Sequence, residues 1–170
     1  MRRRRALLTR ALVPSGVLAG ALLSQLPPVT AAAPAVQYGS GATFFQANCS
    51  VCHGPRGAGQ PSLAPPLTAY PARYARSAEG RRQLALTVLY GMFGRISVGT
   101  RHYDFKMPDF ARFDDATLAA VLNFVVFDLA RAPADTAPLR ADDIARERKR
   151  PLDGSQVRKH RASVLAGLGL

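Results

Sequence analysis

The sequence predicts an all-α protein, and three segments support this fold class. Residues 114–130 carry apolar side chains at helical spacing, with Asp114 or Asp115 available as the N-cap. Residues 84–93 repeat aliphatic side chains with the same period, and residues 42–48 are typical of a shorter helix. A chain of 170 residues with two cysteines has room for one domain with extensions, and it excludes a multi-disulfide scaffold.

The N-terminal segment, residues 1–35, has the anatomy of a signal peptide. Residues 2–5 are all arginine, residues 17–26 form a mostly apolar run, and residues 31–35 offer small side chains for cleavage. A retained membrane anchor is the alternative, but a spanning helix needs about 20 apolar residues. A span of that length around this run would be interrupted by Pro14, Ser24, Gln25, Pro27 and Pro28. We expect cleavage and a periplasmic location, where thiols meet oxidising conditions, whereas a retained leader would anchor the protein to the membrane.

The net charge of +12, from 23 basic and 11 acidic residues, resembles that of a nucleic-acid-binding protein. Its distribution argues against that interpretation. Five arginines lie within the first ten residues, so the exported chain keeps 18 basic residues against 11 acidic ones, a net charge of +7. Export and the lack of aromatic residues beyond residue 140 make a nucleic-acid partner unexpected.

The motif Cys49-Ser50-Val51-Cys52-His53 carries the strongest functional signal. C-x-x-C-H is the attachment signature of c-type haem, in which each thiol adds to a porphyrin vinyl group and the histidine binds iron. Alternatives are a redox-active dithiol, a structural zinc site and a plain disulfide. A redox-active dithiol would be expected within a βαβ pattern, which the surrounding sequence does not show. A zinc site needs four ligands, and only His102 and His160 remain to join the motif. A plain disulfide would leave His53 without a role. The sequence therefore favours one covalent haem.

Met107 is the candidate for the sixth iron ligand. It follows an irregular segment with two glycines, and Pro108 biases it towards a loop conformation. Met92 lies in the predicted helical stretch and is expected to pack in the core. His102 is the rival ligand, whereas His160 is expected to be a solvated residue of the charged tail.

Residues 39–131 resemble a class I cytochrome c, through the haem motif with Gly54 and through Ala64-Pro65-Pro66-Leu67, which is similar to the proline-containing loop of that family. The resemblance implies a cytochrome c-like fold around haem c bound through Cys49 and Cys52. It also implies that the Pro65 carbonyl orients His53, although Pro66 remains an alternative. The terminal helix should cross the N-terminal one, with expected contacts between Phe44 or Phe45 and Leu122, Phe124 or Val125.

The resemblance further implies an electron carrier rather than an enzyme, which takes one electron from a protein donor and passes it on. The segment 87–96 followed by 107–110 is similar to cytochromes that serve periplasmic dehydrogenases or oxidases and feed the respiratory chain, but Asp109 departs from their small apolar residue. Two other functions remain open: a sensor or peroxidase-like enzyme with a free sixth position, and a haem-free thiol–disulfide oxidoreductase. The apolar residues expected to line the haem pocket are Leu67, Tyr90, Phe93, Ile96, Tyr103 and Phe110.

The C-terminal part changes in composition. Residues 36–131 are assigned to the haem domain, residues 132–139 to a linker rich in proline and alanine, and residues 140–170 to a basic extension. Short helices are plausible over residues 141–149 and 154–161. We expect this extension to be a solvated, partly ordered tail.

Overall fold

The computed structural model describes residues 39–170, which belong to one compact unit. The predicted signal peptide lies outside the described residues. Helices and one short β-hairpin make up the regular structure of the described part. None of these helices is long and apolar enough to cross a bilayer. The elements are α1 Gly39–Asn48, α2 Ser50–His53, α3 Tyr70–Tyr74, α4 Ala78–Tyr90, β1 Ile96–Val98, β2 Arg101–Tyr103, α5 Asp115–Asn123, a π-helical segment Phe124–Leu129, α6 Ala141–Arg148 and α7 Gly154–Gly167.

The first and fifth helices pack closely against each other. A Cβ atom at Gly41 would collide with the carbonyl of Ala120, so glycine at this position allows the two backbones to approach. Phe45 is fully buried beside Val121 and Val125, and its ring lies 5.5 Å from that of Phe124. These are the contacts expected between the terminal and N-terminal helices.

The predicted helix over residues 114–130 forms, but it is not one regular α-helix. Asp114 caps its start, because its carboxylate accepts a hydrogen bond of 2.8 Å from the Thr117 amide. After Asn123 the chain continues as the π-helical segment. Apolar spacing gives no signal for this change of winding.

Helix α4 begins earlier and ends earlier than the periodic stretch 84–93. Ser77 caps its start through a hydrogen bond from the Gly80 amide, which the apolar pattern does not mark. The helix stops at Tyr90 because Gly91 adopts a non-helical φ of 68°. A Cβ atom at Gly91 would also collide with the Met107 carbonyl, so this position requires glycine. Met92 therefore lies outside the helix, contrary to its predicted position.

The segment predicted as irregular contains an antiparallel hairpin. Strands β1 and β2 pair Ile96 with Tyr103 and Ser97 with His102. Gly99, with a φ of 58°, makes the turn between them. Two strands of three residues leave the fold all-α, as predicted.

The C-terminal extension is part of the packed core rather than a solvated tail. Helices α6 and α7 pack against α4, and α6 also packs against α5. Each helix buries apolar side chains, because Ile144 and Val157 have no exposed surface and Val164 is also buried. The expectation of a solvated extension is wrong, because residues 140–170 present an apolar face that charge and composition do not reveal.

The segment 132–139, predicted as a linker, is held against α5. The buried Asn123 amide donates to the Leu139 carbonyl at 2.9 Å and accepts from the Leu139 amide at 2.8 Å. Farther along, the Arg148 guanidinium binds Asp115 at 2.8 Å and also donates to the carbonyls of Ala111 and Phe113. These polar contacts tie the extension to the loop and helix that precede it.

Truncating Ile144 tests whether the extension is integral to the fold. Ile144→Ala should lower the free energy of unfolding of the holoprotein by about 2–5 kcal/mol, and Ile144→Val by about 0.5–1.5 kcal/mol, because the larger truncation leaves the larger cavity. Guanidinium unfolding followed by far-UV circular dichroism measures both. An Ile144→Ala protein with wild-type stability would show that α6 adds nothing to the core.

Candidate functional site

The Cys49–His53 motif lies on a single helical turn. Cys49 is the N-cap of α2, and its carbonyl accepts hydrogen bonds from the amides of Cys52 at 3.2 Å and His53 at 2.9 Å. Residues three and four apart in a helix lie on one face, so this turn groups the second thiol and the imidazole with the first thiol. No disulfide joins the two cysteines.

His53 is buried and its ring orientation is fixed by one hydrogen bond. Nδ1 lies 2.9 Å from the carbonyl oxygen of Pro65, which can only accept, so Nδ1 carries the proton and Nε2 keeps its lone pair. Burial lowers the pKa of His53 despite the opposing effect of this hydrogen bond. The imidazole is therefore neutral at pH 7, with Nε2 in the form that binds a metal ion. Of the two prolines considered, Pro65 makes this contact.

The loop that carries Pro65 is fixed by backbone hydrogen bonds. The Gly59 amide donates to the His53 carbonyl at 2.8 Å, and the Leu67 amide donates to the Gly57 carbonyl at 2.7 Å. Close packing leaves no room for a Cβ atom at Gly59, which lies against the Pro65–Pro66 backbone with a φ of 77°. These bonds tie the end of α2, which carries the histidine, to the loop that carries the orienting carbonyl.

A large apolar cavity opens beside the motif. Its empty volume, counted out to its open mouth and including solvent space there, is about 1510 Å³. Helices α1, α2, α4 and α5, the Pro65 loop, the hairpin and α7 all contribute to its wall. Nine of the eleven residues predicted to bind the cofactor line this wall, namely Cys49, Cys52, His53, Pro65, Leu67, Ile96, Tyr103, Met107 and Phe110.

Tyr90 and Phe93 lie outside the cavity wall, contrary to their predicted role. The Tyr90 hydroxyl donates to the carbonyls of Glu147 and Arg148, so this side chain caps the end of α6. Phe93 is 41% exposed, and its ring packs against Gly154 at the start of α7. Both side chains serve the C-terminal extension, whose packing the sequence does not reveal.

Met107 lies on a non-helical segment paired with the end of α4. Its amide donates to the Met92 carbonyl at 2.8 Å, and its carbonyl accepts from the Met92 amide at 3.1 Å. Directly paired antiparallel residues project their side chains to the same face, and both methionines line the cavity. Met92 is thus a second thioether in the cavity wall, and its predicted place in the core is wrong.

The two other histidines lie away from the cavity wall. His102 is exposed on β2, with Nδ1 3.0 Å from the Ser97 hydroxyl. His160 on α7 bridges to α4, because Nδ1 lies 2.6 Å from Gln83 Oε1 and Nε2 lies 3.0 Å from Glu79 Oε2. The expected solvated role of His160 is therefore wrong. Asp109 is exposed and does not line the cavity either.

Sequence reasoning misses three buried polar residues of the cavity wall. Tyr74 comes from α3, a helix too short to leave a periodic pattern, and Gln83 comes from the buried face of α4. Arg161 comes from α7. Predicting its position would have required knowledge of how the C-terminal extension packs.

Two alternative functions of the motif find no support in this geometry. Within residues 39–170, no three His, Cys, Asp or Glu side chains are grouped as a metal ion would require, which argues against structural zinc. Burial, with a contribution from Cys52, raises the pKa of the Cys49 thiol to about 11. Redox-active dithiols need the opposite shift, because the thiolate is the nucleophile.

Comparison with known proteins gives the same family as the motif. The sequence profile of cytochrome c matches residues 39–126, just over half of the chain. The chain belongs to the cytochrome c family. A cytochrome c-552 of Thermus thermophilus is 33% identical over 132 residues, which cover 76% of this chain and 88% of the relative. Another cytochrome c-552 of Thermus thermophilus is 33% identical over 120 residues, 69% of this chain and 92% of the relative.

The site of this class I cytochrome fits haem c. Two thiols and a neutral imidazole lie together at one wall of the cavity. The rest of the lining is mostly apolar, which suits the apolar porphyrin ring. The cytochrome carries one haem, attached covalently through Cys49 and Cys52. Its homologues are electron carriers, and electron transfer is the function of the family.

Single replacement of the two cysteines tests the attachment. Cys49→Ala and Cys52→Ala should each retain haem through one thioether, with one vinyl group unreacted and the visible bands shifted to longer wavelength. The double variant should release its haem on denaturation. Val51→Ala is the matched control, because Val51 lies between the cysteines and is 73% exposed.

Mass spectrometry of the denatured proteins and their pyridine haemochrome spectra measure the number of thioethers. Loss of haem from the denatured wild-type protein would contradict covalent attachment. Unchanged band positions in both single variants would contradict attachment through these two thiols.

Proposed function

We propose that this cytochrome is an exported, periplasmic electron carrier in which His53 and Met107 bind the iron. It accepts electrons from a dehydrogenase or oxidase partner and passes them to the respiratory chain. The observation that carries this proposal is the fixed Nδ1–Pro65 hydrogen bond of His53 at one wall, with Met107 held by backbone pairing in the same cavity.

The bound haem supplies a ferric–ferrous couple that exchanges one electron. His53 contributes Nε2, and its bond to Pro65 prevents the ring from turning. Met107 contributes a neutral thioether, and its backbone is held at both its amide and its carbonyl. A His/Met ligand pair favours the ferrous state and raises the reduction potential.

The apolar wall supports the same role. Leu84, Leu118 and Leu122 are buried and line the cavity, so they exclude water from its interior. A low dielectric disfavours the more highly charged ferric centre, which raises the potential further. No Asp or Glu side chain lines the cavity among the described residues, so no carboxylate of the protein opposes this effect there.

The cavity mouth offers a surface for short-lived protein contacts. Val51 and Phe105 line the cavity and are 73% and 60% exposed. Lys106 is an exposed cation beside them. An apolar rim with a positive charge fits a transient encounter with an acidic redox partner, steered by the net charge of +7 on the described residues.

The nature of the donor and the periplasmic location rest on the sequence. Residues 87–96 with 107–110 resemble cytochromes that serve periplasmic dehydrogenases and oxidases, and residues 1–35 resemble a signal peptide. The contacts of Met107 support the first resemblance, because they bring the Met-Pro segment to the cavity. Asp109, where the pattern departs, lies outside that wall and is exposed.

Parallel variants Met107→Ala and Met92→Leu test the ligand assignment. Met107→Ala should abolish the far-red band of methionine–iron charge transfer and open the iron to carbon monoxide. Its midpoint potential should fall by more than about 60 mV, which is tenfold in the equilibrium constant of a one-electron exchange. Absorption spectra and potentiometric titration measure these changes.

Met92→Leu is the matched control, because Met92 lines the same cavity and pairs directly with Met107. It should retain the band and the low reactivity towards carbon monoxide. The reverse pattern would assign Met92 as the ligand, and a wild-type protein without the band would indicate an open sixth position.

A further inference from the structure

Arg161 is a buried charge that reaches the haem cavity from outside the family's matched segment. It lies on α7, 35 residues beyond the end of the match at residue 126. Its side chain lines the cavity and the residue is 8% exposed. One guanidinium nitrogen, Nη2, donates to the Ser97 carbonyl of β1 at 3.0 Å.

Arg161 has no carboxylate partner in the described part of the chain. It takes part in none of the ion pairs there, whereas Arg81, Arg82 and Arg148 each bind a carboxylate within 3.0 Å. No acidic residue of that part lines the cavity. A buried cation without a counter-charge is costly, so its retention at this wall points to an anion supplied by a ligand.

Tyr74 presents a second unpaired polar group to the same cavity. Its hydroxyl is buried and has no well-formed hydrogen bond in the described residues. Burial raises the pKa of Tyr74, and the positive charge of Arg161 opposes that shift, so the guanidinium lies close to the hydroxyl. A phenol and a guanidinium together donate the hydrogen bonds that a carboxylate accepts.

We propose that Arg161 and Tyr74 bind a propionate carboxylate of the haem. The porphyrin carries two propionates, and these are the anions that enter this cavity with the cofactor. The guanidinium donates a charge-assisted hydrogen bond and balances the negative charge, while the phenol donates its O–H. This inference rests on haem attachment and is independent of the sixth ligand.

The contacts of α7 hold Arg161 in position. His160 bridges to Gln83 and Glu79 of α4, and Val157 and Val164 are buried on the same helix. The C-terminal extension therefore completes the cofactor site.

Two other cations of the described residues lie near the cavity. Arg158, one turn before Arg161, packs against Gly94, itself part of the cavity wall. Lys106 lines the cavity, but it is exposed and so carries less of an unpaired-charge penalty. Arg161 is both buried and part of the cavity wall, which Arg158 is not, so Arg161 is the better candidate for a carboxylate held inside the cavity.

Arg161→Gln, compared with Lys159→Gln, tests this assignment in the holoprotein. Both variants remove one positive charge from α7, but Lys159 is exposed and does not line the cavity. Arg161→Gln should shift the propionate-bending bands in the resonance Raman spectrum and lower the midpoint potential, because an unbalanced carboxylate stabilises the ferric state. Lys159→Gln should leave the bands unchanged and move the potential by a clearly smaller amount.

Two further variants separate this role from a merely structural one. Arg161→Lys keeps the charge and should restore most of the potential, while Tyr74→Phe removes only the hydroxyl and should shift the propionate bands. Far-UV circular dichroism and haem content confirm that each variant folds. Equal potentials and unchanged propionate bands in Arg161→Gln and Lys159→Gln would overturn the proposal, as would bands that respond to Lys106→Gln and not to Arg161→Gln.

Discussion

The hydrogen bond between His53 Nδ1 and the Pro65 carbonyl is the constraint on which the site depends. It selects the tautomer, fixes the ring plane and leaves Nε2 as the free ring nitrogen. The same helical turn holds Cys49 and Cys52, so both attachment thiols and the proposed iron ligand belong to five consecutive residues. The rest of the fold builds a wall around that fixed point, with Met107 held by its backbone on the chain segment that follows the hairpin.

The C-terminal extension belongs to this wall as much as the matched family segment does. Buried Ile144 and Val157 anchor α6 and α7, and the paired hydrogen bonds of Asn123 fix the connection that leads to them. Several charged residues of this extension form internal ties, because Arg148 binds Asp115 while Asp143 and Glu147 bind Arg81 and Arg82. Part of the charge of the extension therefore serves its packing against the rest of the fold.

Local chemistry was predictable from the sequence, and long-range packing was not. The haem motif, the Pro65 contact, the Asp114 cap and the aromatic contact of Phe45 depend on short patterns or on a family resemblance. Tyr90 and Phe93 were misassigned because both pack on α6 and α7, partners more than 50 residues away in sequence. Arg161 and Met92 were missed for related reasons: one depends on how α7 docks, and the other on a turn at Gly91 that ends α4 early. Periodicity reports which face is apolar but not what covers it.

The proposed electron-carrier site places the iron between His53, fixed by the Pro65 carbonyl, and the thioether of Met107. X-ray absorption at the iron edge of the oxidised holoprotein tests this ligand set directly, because sulfur and nitrogen scatter differently. We expect one sulfur and five nitrogens in the first coordination shell, the nitrogens being the four of the porphyrin and one of the imidazole. A first shell without sulfur, or with two imidazole nitrogens, would contradict it.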